Sequence, residues 1–213
     1  MSLTLIIYST TDGQTKAICK RISSVINQTN STEVVSIDDA DELDLSKYDQ
    51  IVIGASIRYG KHSPKLYQFI ESNISILEAN NNIFFSVNAV ARKPEKNTSD
   101  TNPYMKKFLT LSLWKPALLE VFGGKIDYQK YNFVDKYMIR LIMWMTKGPT
   151  DMSEAHEFTN WDKVEEFANQ IVILKLHIKS LISLLSNQNI DFKARAFSWK
   201  KYIERNKYIK RTI

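Results

Sequence analysis

The fold of this chain is decided by the stretch Leu3-Thr4-Leu5-Ile6-Ile7-Tyr8-Ser9-Thr10-Thr11-Asp12-Gly13-Gln14-Thr15. Its apolar first part predicts a strand, and a helical pattern follows directly. A loop of hydroxyl residues and a glycine between a strand and a helix forms a phosphate cradle, because the helix N-terminus attracts anions. The hydroxyl groups can donate to phosphate oxygens, and Gly13 lets the backbone approach closely. An ordinary strand-to-helix turn, capped by Thr or Asp, is the alternative at this point.

The composition is that of a soluble globular protein. The 213 residues suffice for one domain with a sizeable core, and 44% of them are hydrophobic. Cys19 is the only cysteine, which excludes an intramolecular disulfide and agrees with a reducing compartment such as the cytoplasm. Residues 1–8 are too short for a signal peptide, and no apolar stretch reaches the roughly 20 residues of a membrane span.

The positive charge is concentrated at the C-terminus. The net charge is +6, and residues 186–213 hold eight Lys and Arg against two acidic residues, so residues 1–185 are neutral overall. Aromatic residues such as Trp199 and Tyr202 are interleaved with the basic ones. This composition suits an anionic membrane or a nucleic acid, and a solvated, partly helical extension is the alternative. We predict a main domain over 1–185 and a basic C-terminal extension over 186–213.

Five apolar runs alternate with helical patterns along the main domain. They are Leu3–Tyr8, Val34–Ile37, Gln50–Ala55, Ile83–Val87 and Leu118–Gly123. Several runs are continuous rather than alternating, as in strands buried on both faces of a parallel sheet. The pairs Ser63-Pro64 and Asn102-Pro103 are typical of helix starts, and a last long helix opens at residues 159–162. The pattern predicts a doubly wound α/β sheet.

Ligands of such sheets bind beyond the carboxyl ends of the strands, at the topological switch point. Three loops should meet there, namely residues 9–15, 56–60 and 88–94. The first loop suits a phosphate, whereas Tyr59 and Gly60 of the second suit a flat ring. A phosphate at one end and a planar ring between two loops describe flavin mononucleotide, FMN. A dinucleotide site is disfavoured, because the sequence lacks G-x-G-x-x-G.

The sequence contains no convincing metal site or hydrolytic constellation. His62, His156 and His177 are far apart, no G-x-S-x-G elbow occurs, and no paired carboxylates fall on strand ends. We therefore predict that the protein binds no metal.

An insertion at residues 125–157 separates the last strand from the last helix. Its centre, residues 134–145, is apolar on almost every side and includes Tyr137, Ile142 and Trp144. Three interpretations stay open: a helix buried in the core, a dimer contact, or a helix lying in a membrane interface. Loops longer than about 15 residues within compact domains are usually functional. Basic residues beside Trp, Met and Leu suit an interfacial helix.

The sequence resembles the flavodoxin-like, menaquinone-dependent protoporphyrinogen IX dehydrogenases of bacterial haem synthesis. The matching stretches are Tyr8-Ser9-Thr10-Thr11-Asp12-Gly13-Gln14-Thr15, Val52-Ile53-Gly54-Ala55-Ser56-Ile57-Arg58-Tyr59-Gly60, Ser86-Val87-Asn88-Ala89-Val90-Ala91-Arg92-Lys93-Pro94-Glu95-Lys96 and Tyr137-Met138-Ile139-Arg140-Leu141-Ile142-Met143. The first stretch is typical of flavodoxins in general. The second and third are more specific, because electron-carrier flavodoxins lack the run from Ala91 to Lys96. The resemblance covers about residues 3–175 and includes the insertion, but no part of 186–213.

The resemblance implies a five-stranded parallel sheet of order 2-1-3-4-5. The insertion interrupts its last strand, which residues 157–159 complete. FMN is the implied cofactor, bound without a covalent bond. The implied cofactor-binding residues are Ser9, Thr10, Thr11, Asp12, Gly13, Gln14, Thr15, Ser56, Ile57, Arg58, Tyr59, Gly60, Ser86, Val87, Asn88 and Ala91.

The implied activity is oxidation of protoporphyrinogen IX to protoporphyrin IX, with the electrons passed to menaquinone or ubiquinone. The chemistry resides on FMN, so no catalytic residue is expected in the protein itself. Candidates for the substrate propionates are Arg58, Arg92, Lys93 and Lys96, with surface solubility as their alternative role. Candidates for contact with the membrane or the quinone are Tyr137, Ile142 and Trp144.

We expect a cytoplasmic protein at the inner face of the cell membrane, bound peripherally, with no nucleic-acid partner and with a homo-oligomer as an open alternative. Two other functions stay in consideration. A flavodoxin-type electron carrier should present an acidic face, whereas residues 1–185 are neutral. An NAD(P)H-dependent quinone reductase is the other alternative, although the sequence shows no nicotinamide site.

Overall fold

The computed structural model describes residues 3–79 and 82–186. Residues 1–172 form one compact unit, and a second unit begins at residue 173, within the last helix. Apart from Ser186, the predicted basic extension over 186–213 lies outside the described residues.

The described chain alternates strands and helices in the predicted order. The strands are β1 (Leu3–Ser9), β2 (Ser31–Ser36), β3 (Gln50–Ser56), β4 (Ile83–Val87), β5 (Leu118–Phe122), β6 (Lys125–Asp127) and β7 (Ala155–Glu157). The α-helices are α1 (Gln14–Ile26), α2 (Pro64–Ser72), α3 (Ile74–Ala79), α4 (Pro103–Leu111), α5 (Phe133–Met145) and α6 (Trp161–Ser186).

The main sheet of the described chain has five parallel strands in the order β2-β1-β3-β4-β5, as predicted. Strand β1 lies between β2 and β3, so Ile6 pairs with Val34 on one side and with Val52 on the other. Every residue of β4 is buried, because the sheet is covered on both faces. The continuous apolar runs of the sequence therefore correspond to the central strands.

Aromatic packing fills the core on the faces of β3 and β4. Phe84 stacks on Phe108, with ring centroids 3.8 Å apart, and both rings meet Trp114 edge to face. Gly54 pairs with Phe85 across the sheet. A Cβ at Gly54 would lie 2.2 Å from the Phe85 ring, so only glycine leaves room for that ring.

The helix starts use the side chains that their sequences suggest, with one difference. Asn102 accepts hydrogen bonds from the N–H groups of the first turn of α4, and Asn132 accepts one from Asp135 N at 2.9 Å at the start of α5. Ser63 precedes Pro64 at the start of α2, but its hydroxyl makes no capping hydrogen bond. Proline at the first helical position needs no N–H partner, so it fixes this start by its own geometry.

The segment after the insertion differs from the prediction that residues 157–159 complete the last strand of the sheet. Instead, β7 pairs antiparallel with β6 in a separate two-stranded ribbon. Just after β7, Phe158 passes so close to Gly123 that a Cβ at Gly123 would lie 2.1 Å from the Phe158 carbonyl oxygen. Phe158 N also donates to Gly124 O at 2.9 Å, so the chain passes the end of β5 and does not extend it.

Candidate functional site

The three predicted loops meet at the carboxyl edge of the main sheet. Arg58, after β3, donates to Asp12, after β1, at 3.1 Å. Ile57 N donates to the carbonyl of Val87, at the end of β4, at 2.9 Å. The insertion reaches the same place, because the hydroxyl of Tyr131 donates to Asp12 at 3.1 Å. The site is thus built from three strand ends and from the insertion.

The first loop has the geometry of an anion cradle. Gly13 lies in the left-handed region with φ 88°, and a Cβ there would meet nothing within 4 Å, so the space before α1 is open. The first hydrogen bond of the helix joins Ala17 N to Gly13 O at 3.1 Å, which leaves the N–H groups of residues 14–16 outside the helical ladder. The Thr15 hydroxyl is buried and has no hydrogen-bond partner among the described residues. An anionic oxygen at the helix start would satisfy it.

The charges around the cradle favour an anion. The first turn of α1 contains no acidic residue. Asp12 forms an ion pair with Arg58, which offsets part of the repulsion between its carboxylate and a phosphate. The Gln14 side chain donates to Glu157 at 3.0 Å and to Thr159 at 2.9 Å, which ties the loop to the chain leaving the insertion.

Arg58 connects the first loop to helix α5. Its guanidinium donates to Asp135 at 2.8 Å as well as to Asp12, and it lies 4.8 Å from the ring centroid of Tyr131. The Tyr59 hydroxyl also donates to Asp135, and this bond together with that of Arg58 lowers the pKa of the carboxyl. Burial and the charge of Asp12 raise the pKa of Tyr131 to about 12, so its phenol keeps the proton that it donates. Asp12 and Asp135 therefore share the single positive charge of Arg58.

The second loop is a tight turn that presents an aromatic ring. Arg58 and Lys61 exchange backbone hydrogen bonds of 3.0 and 3.2 Å across the turn. Tyr59 has φ 49° and Gly60 has φ 74°, the positive values that type I′ turns require at both central residues. Tyr59 is 54% exposed, and a Cβ at Gly60 would meet nothing within 4 Å. An exposed ring beside open backbone suits one side of a planar ligand.

The third loop is held from inside by buried polar groups. Asn88 accepts from Ala91 N at 3.0 Å and from Asn102 at 3.2 Å, and it lies 3.3 Å from the Ser86 hydroxyl. His62 contacts the same hydroxyl at 3.1 Å. Ser86 and Asn88 are predicted to bind a cofactor, and the structure places their side chains in this network, where they fix the loop conformation.

Of the basic residues predicted to bind substrate, Arg92 is held by neutral groups. It donates to Ala89 O at 2.9 Å, to Thr146 O at 3.0 Å and to the Thr146 hydroxyl at 2.8 Å. These bonds tie the third loop to the end of α5. Burial lowers the pKa of Arg92. Lys93 and Lys96, which follow Arg92 in the sequence, are half-buried.

Helix α5 presents most of its apolar side chains to solvent. Met143 is buried against Ile126 and Tyr128, and Ile139 packs on the same cluster. Ile142 is 42% exposed and Trp144 is 70% exposed, and Tyr137 is also exposed. Of the three interpretations of residues 134–145, a helix buried in the core disagrees with this exposure. An apolar pattern on every side of the helix cannot show which face the domain covers.

Two residues of the site were not identified from the sequence. Tyr131 and Asp135 contact partners that lie 119 and 77 residues away along the chain. Their local sequence shows only a helix start, with Asn132 three residues before Asp135.

The described residues contain no group of three His, Cys, Asp or Glu arranged for a metal, and no helix there combines the length and apolar character of a membrane span.

The chain is similar to known proteins over most of its length. A family model described as flavodoxin domain matches residues 5–153. Protoporphyrinogen IX dehydrogenase (quinone) of Escherichia coli K12 is 40% identical over 172 residues, which cover 80% of this chain and 95% of that protein. The protein of the same name from Leishmania major is 40% identical over 82% of this chain and 76% of its own length. Oxidised flavodoxin 1 from Bacillus cereus is 18% identical and covers 80% of this chain and 97% of its own, with a TM-score of 0.46.

Proposed function

Since this chain belongs to the flavodoxin-domain family of quinone-dependent protoporphyrinogen IX dehydrogenases, we propose that it oxidises protoporphyrinogen IX to protoporphyrin IX. The cofactor is FMN, and a quinone accepts the electrons. When bound, FMN supplies the two-electron redox chemistry, and the protein supplies binding, orientation and electrostatics. The reaction class is that of an oxidoreductase in haem synthesis.

The observation that carries the FMN site is the buried hydroxyl of Thr15 at the start of α1, which has no hydrogen-bond partner in the part of the chain that the structure describes. It lies beside the free N–H groups of the first helical turn and the open space at Gly13. A phosphate there would receive a hydrogen bond from Thr15 and would meet the positive end of the helix dipole. The residues present therefore fit the phosphate of FMN.

The other two loops are proposed to orient the flavin ring. The turn at Tyr59 and Gly60 presents an exposed aromatic side chain and open backbone on one side. The loop from Asn88 to Ala91 lies after the neighbouring strand and is fixed by its internal hydrogen bonds. A loop fixed before binding loses little conformational freedom when a ligand binds, which favours affinity.

The reaction is tested with the purified protein reconstituted with FMN. Protoporphyrinogen IX should bleach the flavin absorbance under anaerobic conditions, and menadione or a ubiquinone analogue should restore it. NADPH should be a poor reductant. Rapid reduction of the flavin by NADPH, without reduction by the porphyrinogen, would show a quinone reductase instead and overturn this proposal.

Gly13→Val should weaken FMN binding strongly, because a branched side chain occupies the open cradle and is strained at positive φ.

We further propose that α5 makes peripheral contact with the membrane. Its exposed apolar residues lie on a surface helix, and Lys136 and Arg140 are interspersed among them. Such a helix lies in the lipid interface with its apolar side chains among the acyl chains. A shallow groove of about 280 Å³ between Tyr137, Leu141 and Trp144 gives the quinone ring a place at the lipid surface.

The membrane contact is tested by co-sedimentation with anionic vesicles. The double variant Ile142→Asp, Trp144→Asp should lose vesicle binding and quinone turnover while it keeps FMN. The matched control is Leu111→Asp, Leu113→Asp, which changes two exposed apolar residues away from α5. If the α5 variant binds vesicles like the control, or if it only converts a dimer to a monomer, the membrane proposal is wrong.

A further inference from the structure

Building on the proposed function, we propose that a propionate of the porphyrinogen binds in a cleft between residues 92–95 and residues 146–149, with Arg92 and Lys147 as its cationic partners. The insertion thus supplies part of the substrate site. Lys147 is not among the residues that the sequence identified.

The cleft has the size and chemistry for an amphiphilic anion. It is open, has a volume of about 500 Å³, and includes Arg92, Lys93, Glu95, Lys147, Pro149 and Phe158 in its walls. Three of these side chains are cations and one is an anion, so the local charge is positive. Phe158 and Pro149 add apolar surface beside the charges. A tetrapyrrole has the matching composition, because it combines a large apolar ring system with carboxylates at one edge.

No carboxylate of the described residues neutralises the charge of Arg92. Its three hydrogen bonds go to neutral oxygens of Ala89 and Thr146, and no acidic side chain lies within ion-pair distance among residues 3–79 and 82–186. A guanidinium has five N–H donors, so two remain for a ligand. Arg58, in contrast, already pairs with Asp12 and Asp135. A substrate carboxylate therefore gains more at Arg92 than at Arg58, where it would compete with two carboxylates.

Lys147 occupies a conformation that a lysine rarely adopts. Its φ is 56°, directly after the end of α5, where glycine or asparagine is usual. The turn is closed by Lys147 N to Trp144 O at 3.2 Å and by Gly148 N to Met143 O at 2.7 Å. Strained positions of this kind concentrate at ligand sites. This backbone places an exposed lysine in the wall of the cleft, on the side opposite residues 92–95.

Gly148 keeps the two sides of the cleft together. A Cβ at this position would lie 2.4 Å from Met143 Cε and 3.0 Å from an Arg92 guanidinium nitrogen. A side chain at residue 148 would crowd the Arg92 nitrogen that donates to the Thr146 carbonyl. These contacts thus connect Gly148, Lys147 and Arg92 in one group around the cleft.

The test compares Lys147→Gln with the control Lys130→Gln, which removes an exposed lysine of the insertion outside the cleft. Binding is measured directly, by quenching of tryptophan fluorescence with protoporphyrin IX and with its dimethyl ester, in the FMN-loaded protein. Lys147→Gln should weaken binding of the free acid about tenfold, the effect of one lost charge-assisted hydrogen bond. Binding of the ester should not change. Arg92→Lys, which retains the charge but loses the planar donor geometry, should also weaken binding of the free acid.

The outcomes separate this proposal from the proposed function. If the free acid binds Lys147→Gln as tightly as it binds the control, or if acid and ester lose affinity equally, the carboxylate site is wrong even when the enzyme oxidises the porphyrinogen. If the purified protein does not oxidise the porphyrinogen, the proposed function fails, whereas the acid-to-ester comparison still reports on the cleft. Loss of FMN affinity in Lys147→Gln would assign the cation to the cofactor phosphate and overturn the proposal.

Discussion

His62 should make the free energy of unfolding depend on pH. The side chain is buried among Tyr67, Phe84 and Phe108, and its Nε2 contacts the Ser86 hydroxyl at 3.1 Å. Burial, with the nearby charge of Lys107, lowers its pKa from 6.5 to about 4. The folded protein therefore holds this imidazole neutral at pH values where the unfolded chain binds a proton.

The sign and size of the effect follow from this difference. As the pH falls below 6.5, the unfolded state gains a proton that the folded state takes up only near pH 4, so the protein loses stability between these values. Each pH unit within that window removes about 1.4 kcal/mol, and the full loss attributable to His62 is about 3 kcal/mol. Below the folded pKa both states are protonated, and the loss stops growing.

The measurement is urea unfolding at pH 7 and pH 4.5 of the wild type and of His62→Gln, which can still contact Ser86 but cannot titrate. The wild type should lose more stability on acidification than the variant, because all carboxylates titrate equally in both proteins. Phe69→Leu is the control for destabilisation alone, since it removes buried apolar volume and keeps the histidine. It should keep the pH dependence of the wild type. If wild type and His62→Gln lose stability in parallel, the buried neutral histidine does not explain the acid sensitivity.

Three further outcomes follow from the structure. Thr15→Ala should weaken FMN binding about tenfold in a fluorescence titration, whereas Thr110→Ala on α4 should not change it. Gly123→Ala should lower the free energy of unfolding by about 1–3 kcal/mol. Its new Cβ would meet a backbone carbonyl at 2.1 Å, while Gly124→Ala, whose nearest contact would be 3.6 Å away, should be tolerated. Cys19 should react with Ellman's reagent only after denaturation, because burial raises the pKa of its thiol. Reaction in the native protein would contradict its burial.

Local sequence patterns predicted the sheet and the position of the anion cradle, and the family resemblance added the strand order. These features depend on local patterns: continuous apolar runs, the helix that follows Thr15, and Gly13 between them. Such patterns involve residues that are close together in the sequence, so the patterns are visible without the tertiary structure. The family resemblance and the FMN assignment are confirmed by the flavodoxin-domain match and by relatives at 40% identity.

The partners of the charged and apolar side chains of the site become visible in the folded chain alone. From the sequence Arg58 and Arg92 are both candidates for a substrate carboxylate, but within the described residues two distant carboxylates pair with Arg58 and none pairs with Arg92. Helix α5 is apolar on nearly every side, and packing on Ile126 and Tyr128 selects the one face that is covered. Such choices arise from contacts between residues far apart in the chain, and no local pattern records which partner a side chain will meet.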